Sequence, residues 1–195
     1  MRIFIALDID ESIRERIARF VEGVHRFAPD ARWVRPESVH VTLKFIGEKS
    51  DQTVGEIKQA LAMVKSSPVE IQFRGYGFFP TAKAPRVFWI GIEPGPQLAF
   101  LAGTVDDRMA SIGIPKEEHV FSPHLTLARR GGGSGSPRLR KEDVPNRSFQ
   151  RLQEKLSAMP TPEFGTMTAR ELFLYQSQLS QAGSRYTKLS AFALQ

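Results

Sequence analysis

The chain has 195 residues, a formal net charge of +6, 41% hydrophobic residues and no cysteine. That apolar content can bury a core over residues 1–195 as a single domain or as two intimately packed lobes; the missing thiols exclude a disulfide framework, a thiolate metal site and a cysteine nucleophile. No run of about 18 apolar residues occurs and the opening segment turns acidic at Asp8, so neither a membrane span nor a signal peptide is expected, and the cytoplasm is the expected location.

The first element is an apolar strand, Arg2 to Ile9. A helix follows, capped by Asp8 or Asp10, with Glu11 placed as in a capping box and Ile13, Ile17, Phe20, Val21, Val24 and Phe27 forming its apolar stripe. His25, at the edge of that stripe, reads as a boundary residue without a chemical role. Pro36 breaks the chain before a β-prone run, Val39 to Ile46, that ends near Gly47. Val54, Ile57, Leu61 and Val64 predict a second helix, closed by Ser66-Ser67-Pro68. Val69, Ile71 and Phe73 alternate as in a strand; Gly75, Gly77 and Pro80 punctuate before Val87-Phe88-Trp89-Ile90, which is apolar on both faces like a central strand. A third helix from Gln97 carries Leu98, Leu101, Val105, Met109 and Ile112 and stops at Gly113. A second β-prone run, Phe121 to Ala128, precedes a flexible glycine-serine loop, Gly131 to Pro137, which reads as a tolerated insertion, with substrate gating as the alternative. A helix near Ser148 to Met159 and two strands, Thr166 to Tyr175 and Tyr186 to Leu194, complete the order.

Two of the four histidines head near-identical tetrapeptides, His40-Val41-Thr42-Leu43 and His124-Leu125-Thr126-Leu127, one in each β-prone run. Side chains alternate along a strand, so each His shares a face with its own Thr while the aliphatic residues between them point into a core. Two such strands facing one another would line a cleft with two imidazoles and two hydroxyls. A lone histidine of this kind reads as a core residue bonded to backbone; the paired context favours a site.

Two imidazoles across a cleft, one protonated and one neutral near pH 7, form a general acid and base pair that needs no metal. The Thr42 and Thr126 hydroxyls can bond non-bridging phosphate oxygens, and Arg129 adds a positive charge three residues beyond Thr126. This set suits displacement at phosphorus. Acyl transfer fits poorly without a Gly-x-Ser-x-Gly elbow, and no Gly-x-x-x-x-Gly-Lys-Ser/Thr loop is present for a P-loop nucleotidase. Zinc would require three or four suitably spaced ligands; Pro123 and strand geometry keep His119 and His124 off one helical face, and no metal or other cofactor is expected. Arg129, Arg130, Arg138, Arg140, Lys141, Arg147, Arg151 and Lys155 outnumber Glu142, Asp143 and Glu154 in the stretch after the second motif. That patch suits RNA or another phosphate compound, and equally a solvated surface.

With Phe45-Ile46-Gly47 after the first motif, Ala128-Arg129 after the second, Pro85-Arg86-Val87-Phe88-Trp89 between them and Leu174-Tyr175-Gln176-Ser177 near the end, the chain resembles the two-histidine phosphoesterase superfamily. More narrowly, it resembles the bacterial and archaeal RNA 2′,3′-cyclic phosphodiesterases, once named 2′-5′ RNA ligases. The resemblance implies a bilobal α+β fold with two antiparallel sheets, flanked by helices, around a pseudo-two-fold cleft. It implies hydrolysis of a 2′,3′-cyclic phosphate at an RNA 3′ end to a 2′-phosphomonoester; such an RNA or a cyclic nucleotide is the expected partner, no membrane is expected, and the chain is expected to act as a monomer. His40 would be the proton donor and His124 the proton acceptor, with Thr42, Thr126 and Arg129 holding the phosphate. Phe45 would contact the nucleobase, although strict alternation puts it opposite His40 unless a twist or bulge before Gly47 re-aims it. The rival functions are 2′-5′ RNA ligation by the same groups and a nucleotide- or RNA-binding module without turnover.

Overall fold

In the computed structural model, which describes residues 1–93, 95–131, 147–180 and 183–195, the apolar runs pair into two antiparallel sheets. The first strand, β1 (Arg2–Leu7), is apolar from Ile3 onward because both its faces are covered there. Ile3, Ile5 and Leu7 enter the main core, whereas Phe4 and Ala6 join Tyr175 in a smaller cluster on the other side. Its neighbours are β3 (Val41–Glu48) and β8 (Glu171–Ser180), and β9 (Gly183–Ala193) completes a four-stranded sheet ordered β3-β1-β8-β9. The second sheet comprises β2 (Arg32–Trp33), β4 (Val69–Phe79), β5 (Val87–Glu93), β6 (His124–Arg129) and β7 (Glu163–Ala169), ordered β2-β6-β5-β4-β7. Its central strand β5 is the one whose sequence is apolar on both faces.

Among the described residues four α-helices accompany the sheets: α1 (Glu11–Val24), α2 (Asp51–Ala62), α3 (Pro96–Ser111) and α4 (Gln150–Ser157). α1 packs on β7, α2 on β9 and α3, and α3 on both β3 and β4. Ile13, Ile17 and Val24 of α1 and Leu98, Leu101, Val105 and Met109 of α3 enter one continuous core with the strands. The architecture is the α+β, two-sheet one that the resemblance implies. No helix among the described residues is long and apolar enough to cross a membrane. His25 is exposed in a short 3-10 turn after α1, its ring Nδ1 against the carbonyls of Val21 and Glu22. The glycine-serine loop beyond Gly131, and most of the basic stretch after it, lie outside the described residues.

Three local expectations change. Asp8 forms no capping box: its carboxylate accepts from the Ile9 N–H and from Arg14 and pairs with Lys188, while Asp10 occupies the α1 N-cap without a side-chain bond. β4 runs through Gly75 and Gly77 instead of ending there. Gly75 absorbs a register shift with φ of +74°, and a Cβ at Gly77 would overlap the Trp89 ring. The expected strand Thr166 to Tyr175 is two strands broken at Arg170, because β7 pairs with β4 in one sheet and β8 with β1 in the other. The burial phase slips there, from Met167 and Ala169 to Leu172 and Leu174.

One polar residue inside the core ties the motif strands together. Lys44 of β3 is only 3% exposed, and its ammonium group donates to Asp106 of α3 and to the Pro115 carbonyl at 2.9 Å. The Asp106 carboxylate also accepts the Glu117 N–H at 3.2 and 3.3 Å, so this node fastens the segment that leads into β6. Removing Asp106 leaves the buried ammonium with the Pro115 carbonyl and a more distant Glu117 carboxylate at 3.9 Å: Asp106→Ala should lower the unfolding free energy by about 3 kcal/mol in urea titrations, whereas Lys44→Met with Asp106→Leu should recover most of that loss.

Candidate active site

The two sheets approach one another at β3 and β6, which brings the motifs together. His40 stands immediately before β3 and His124 is the first residue of β6. Behind them Val41, Leu43, Leu125 and Leu127 are buried, as the alternation predicts. Each imidazole is fastened in the same way: Nδ1 lies 2.8 Å from the carbonyl oxygen two residues upstream, that of Ser38 for His40 and that of Ser122 for His124. A carbonyl can only accept, so Nδ1 carries the hydrogen and the neutral ring keeps its lone pair on Nε2. The repeat therefore extends to Ser-x-His-x-Thr-Leu, a signal present in the sequence, although the bond itself uses backbone.

Packing holds the rings further. Phe4 stacks on His40 at 4.7 Å between centroids, and Tyr186 meets it edge-on at 5.1 Å. On the other side Phe79 meets His124 edge-on at 4.9 Å, with the Trp89 ring at 6.3 Å.

The residues three beyond each Thr require a departure from strict alternation, and both strands supply one. In β6 the register against β5 passes from Trp89↔Thr126 to Phe88↔Ala128, which leaves Leu127 as an extra residue. Leu127 and Ala128 are both buried in succession, and Arg129 returns to the face of Thr126. In β3 the register against β1 passes from Ala6↔Thr42 to Ile5↔Lys44, with Leu43 extra. Leu43 and Lys44 are buried in succession, and Phe45 pairs with Phe4, the ring that stacks on His40. Directly paired antiparallel residues share a face, so Phe45 lies on the cleft face.

His40, Thr42, His124, Thr126 and Arg129 line a single cavity of about 40 Å³, which Val34, Ser38, Val39 and Tyr186 complete. This space exceeds what one water needs and suits a small anion. Phe45 is 48% exposed outside that cavity, with the Arg2 guanidinium 5.0 Å from its ring centroid. Val34 and Tyr186 had no local signal: Val34 is anchored by its N–H to the Leu127 carbonyl at 2.8 Å, and Tyr186 arrives on β9. Among the described residues no cluster of three or more His, Cys, Asp or Glu side chains is arranged to hold a metal ion.

Electrostatics hold both imidazoles below their ordinary value. Burial pushes His40 down to about 4; its bond to Ser38 opposes the shift and the Arg129 charge adds to it. Burial lowers His124 as well, again opposed by the backbone bond and reinforced by Arg129. Both rings are therefore neutral at pH 7. An anion beside Arg129 would reverse the balance, because negative charge favours the imidazolium form.

Fold and paired motifs together define a phosphoesterase of the two-histidine type. A family model described as LigT like Phosphoesterase matches residues 7–89. The chain is 30% identical to the RNA 2′,3′-cyclic phosphodiesterase of Archaeoglobus fulgidus, over 98% of this chain and 99% of that one. It is 31% identical to the protein of the same name from Aquifex aeolicus, over 100% of this chain and 97% of that one. The crystal structure of E. coli LigT complexed with 3′-AMP matches it with a TM-score of 0.76 at 26% identity, covering 99% of this chain and 97% of that one. This chain belongs to the RNA 2′,3′-cyclic phosphodiesterase family.

The histidine environment makes a measurable prediction. In the free protein the His40 ring resonances should titrate near pH 4 and those of His124 below 6.5, and inorganic phosphate should raise both midpoints. Because the unfolded chain protonates near 6.5, the stability tied to the neutral rings is full above that pH and lost as pH falls toward 4, so the urea midpoint should drop across that window. A free His40 that titrates at 6.5 would contradict the desolvated geometry.

Proposed function

We propose that this chain hydrolyses RNA 2′,3′-cyclic phosphate termini, and the corresponding cyclic nucleotides, to 2′-phosphomonoesters without a metal ion. The observation that carries this reading is the convergence of His40, Thr42, His124, Thr126 and Arg129 on one phosphate-sized cavity. The cyclic phosphate enters with its non-bridging oxygens toward the two Thr hydroxyls and the Arg129 guanidinium. Its negative charge offsets Arg129 and raises the imidazoles, so His40 takes up a proton as the substrate binds.

His124 Nε2 then accepts a proton from water as the water oxygen attacks phosphorus. The bond from phosphorus to the 3′ oxygen breaks, and His40 Nε2 delivers its proton to that oxygen, leaving the phosphate on the 2′ oxygen. His124 ends protonated and His40 neutral, and exchange with solvent restores the starting state. Phe45, presented on the cleft face, offers a ring against the terminal base. A cytoplasmic monomer acting as one two-lobed domain completes the reading.

The decisive experiment supplies an oligoribonucleotide with a cyclic phosphate end, with and without a 5′-hydroxyl partner, and identifies products by mass. A 2′-phosphate product is expected; a 3′-phosphate or only joined product overturns the assignment. His40→Ala and His124→Ala should each reduce kcat by about 10²- to 10⁴-fold, and the double variant by much less than the product of the two. Arg129→Ala should cost about 10²- to 10³-fold. Excess chelator should leave turnover unchanged, and the pH dependence should be bell-shaped.

A further inference from the structure

The two imidazoles are bonded alike but carried differently. His124 is the first residue of β6 and pairs with Gly91 of β5, so the sheet fixes its backbone. His40 lies outside the corresponding ladder: the pairing of β1 with β3 ends at Leu7↔Val41, one residue short of it. Its backbone is held instead through the 3-10 turn that precedes it, Pro36–Ser38.

The Ser38 carbonyl that receives the His40 Nδ1 hydrogen belongs to the same planar peptide unit as the Val39 N–H. That N–H donates to the Pro36 carbonyl at 3.2 Å, so the tilt of the plane follows the position of one oxygen. The Pro36 oxygen in turn accepts from Nη1 of Arg14 at 2.6 Å, a charge-assisted bond and the shortest of the series. Arg14 is itself well fastened. Its Nη2 donates to Asp8 at 2.8 Å and to the Ile9 carbonyl at 3.2 Å, its side chain is only 13% exposed, and Asp8 is tied in addition to Lys188 of β9. The guanidinium thus bridges from the segment just after β1 to the turn just before β3, across the gap where the ladder stops.

The His124 side is built otherwise. Its acceptor, Ser122, lies in a stretch without regular structure, residues 120–123, and Val120, which stands where Pro36 stands relative to the motif, is 95% exposed. Charge does not explain the bridge either. Burial dominates the shift at His40, while Asp8 and Arg14 act on the ring in opposite senses, so the ion pair largely cancels its own field there.

We propose that Arg14 is a positioning residue for His40 and not for His124: through the Pro36 carbonyl and the Ser38–Val39 peptide it keeps the His40 ring in the tautomer and direction from which Nε2 meets the cavity. The effect on the ring follows from the geometry alone; the effect on turnover rests on the hydrolase reading above. Under that reading His40 delivers a proton to the departing 3′ oxygen, so loss of Arg14 slows that delivery and spares the attack of water that His124 assists.

The test uses Arg14→Met in the full chain. Nitrogen-15 spectra of the imidazoles near neutral pH should show Nδ1 protonated and Nε2 bare in both wild-type rings. In the variant His40 should move toward the mixed tautomers of a free imidazole, while His124 keeps its wild-type pattern and so reports a folded cleft. Turnover is then compared on a cyclic-ended substrate and on its analogue with sulfur in place of the 3′ oxygen, because a departing thiolate needs no proton. Arg14→Met should lower kcat on the oxygen substrate by about ten- to a hundredfold and on the sulfur analogue by no more than about twofold, with KM little changed. Arg14→Lys keeps the charge but lacks the fork that serves Pro36 and Asp8 together, so it should fall between wild type and Arg14→Met, and it carries the comparison if Arg14→Met does not fold. A His40 ring that keeps its wild-type tautomer in a folded variant overturns the proposal. An altered ring with equal losses on both substrates upholds the positioning and takes the proton-donor role away from His40. If wild type turns over neither substrate, the hydrolase reading fails on its own, and the nitrogen spectra alone decide what Arg14 does.

Discussion

Everything the site can do rests on where two imidazoles keep their hydrogens. Each Nδ1 is committed to a carbonyl of its own chain, 2.8 Å away, which fixes the tautomer and turns Nε2 toward the shared cavity. Ser38 and Ser122 lie only two residues upstream, so the orientation is set by local backbone and survives small shifts between the sheets. The same desolvation that makes the rings exact in position makes them reluctant to charge, and Arg129 deepens that reluctance. An anion beside Arg129 would favour the imidazolium form, so under the proposed mechanism the ligand that needs a proton donor is also the ligand that creates one.

A strand offers a given face only every second residue, which would limit each motif to one imidazole and one hydroxyl. The bulges at Leu43 and Leu127 relax that limit at the same offset in both strands. One returns Phe45 and the other Arg129 to the cleft, so equivalent positions carry an aromatic ring in one lobe and a guanidinium in the other. Identical backbone devices with different side chains give a symmetric reaction centre an asymmetric grip.

The features that could be read from the sequence are those set over a few residues. The apolar runs gave most of the strands, the helical stripes gave α1, α2 and α3, and the duplicated tetrapeptide gave the two His-x-Thr pairs that line the cavity. Contacts between distant segments were out of reach. Tyr186 and Val34 enter the cavity through strand pairing and a single backbone bond. Lys44 looks like an ordinary strand lysine until Asp106 and Pro115 are brought to it across the core. Gly75 and Gly77 carry the composition of a turn, yet one serves a register shift and the other clears space for an indole. Arg170 sits in an uninterrupted β-prone run, and only the change of sheet partner ends β7 there.

That change of partner has a consequence for biogenesis. The sheet bearing His40 is assembled from β1 and β3 early in the chain and from β8 and β9 some 130 residues later, whereas the sheet bearing His124 draws every strand from between Arg32 and Ala169. During synthesis β1 waits with one edge unpaired until residues 171–193 have left the ribosome. The histidine translated first has Phe4 beside it early but receives its other two aromatic neighbours last, since Tyr175 and Tyr186 both arrive with those late strands. A nascent chain stalled before them holds both motifs but lacks the Tyr186 ring that lines the cavity they share.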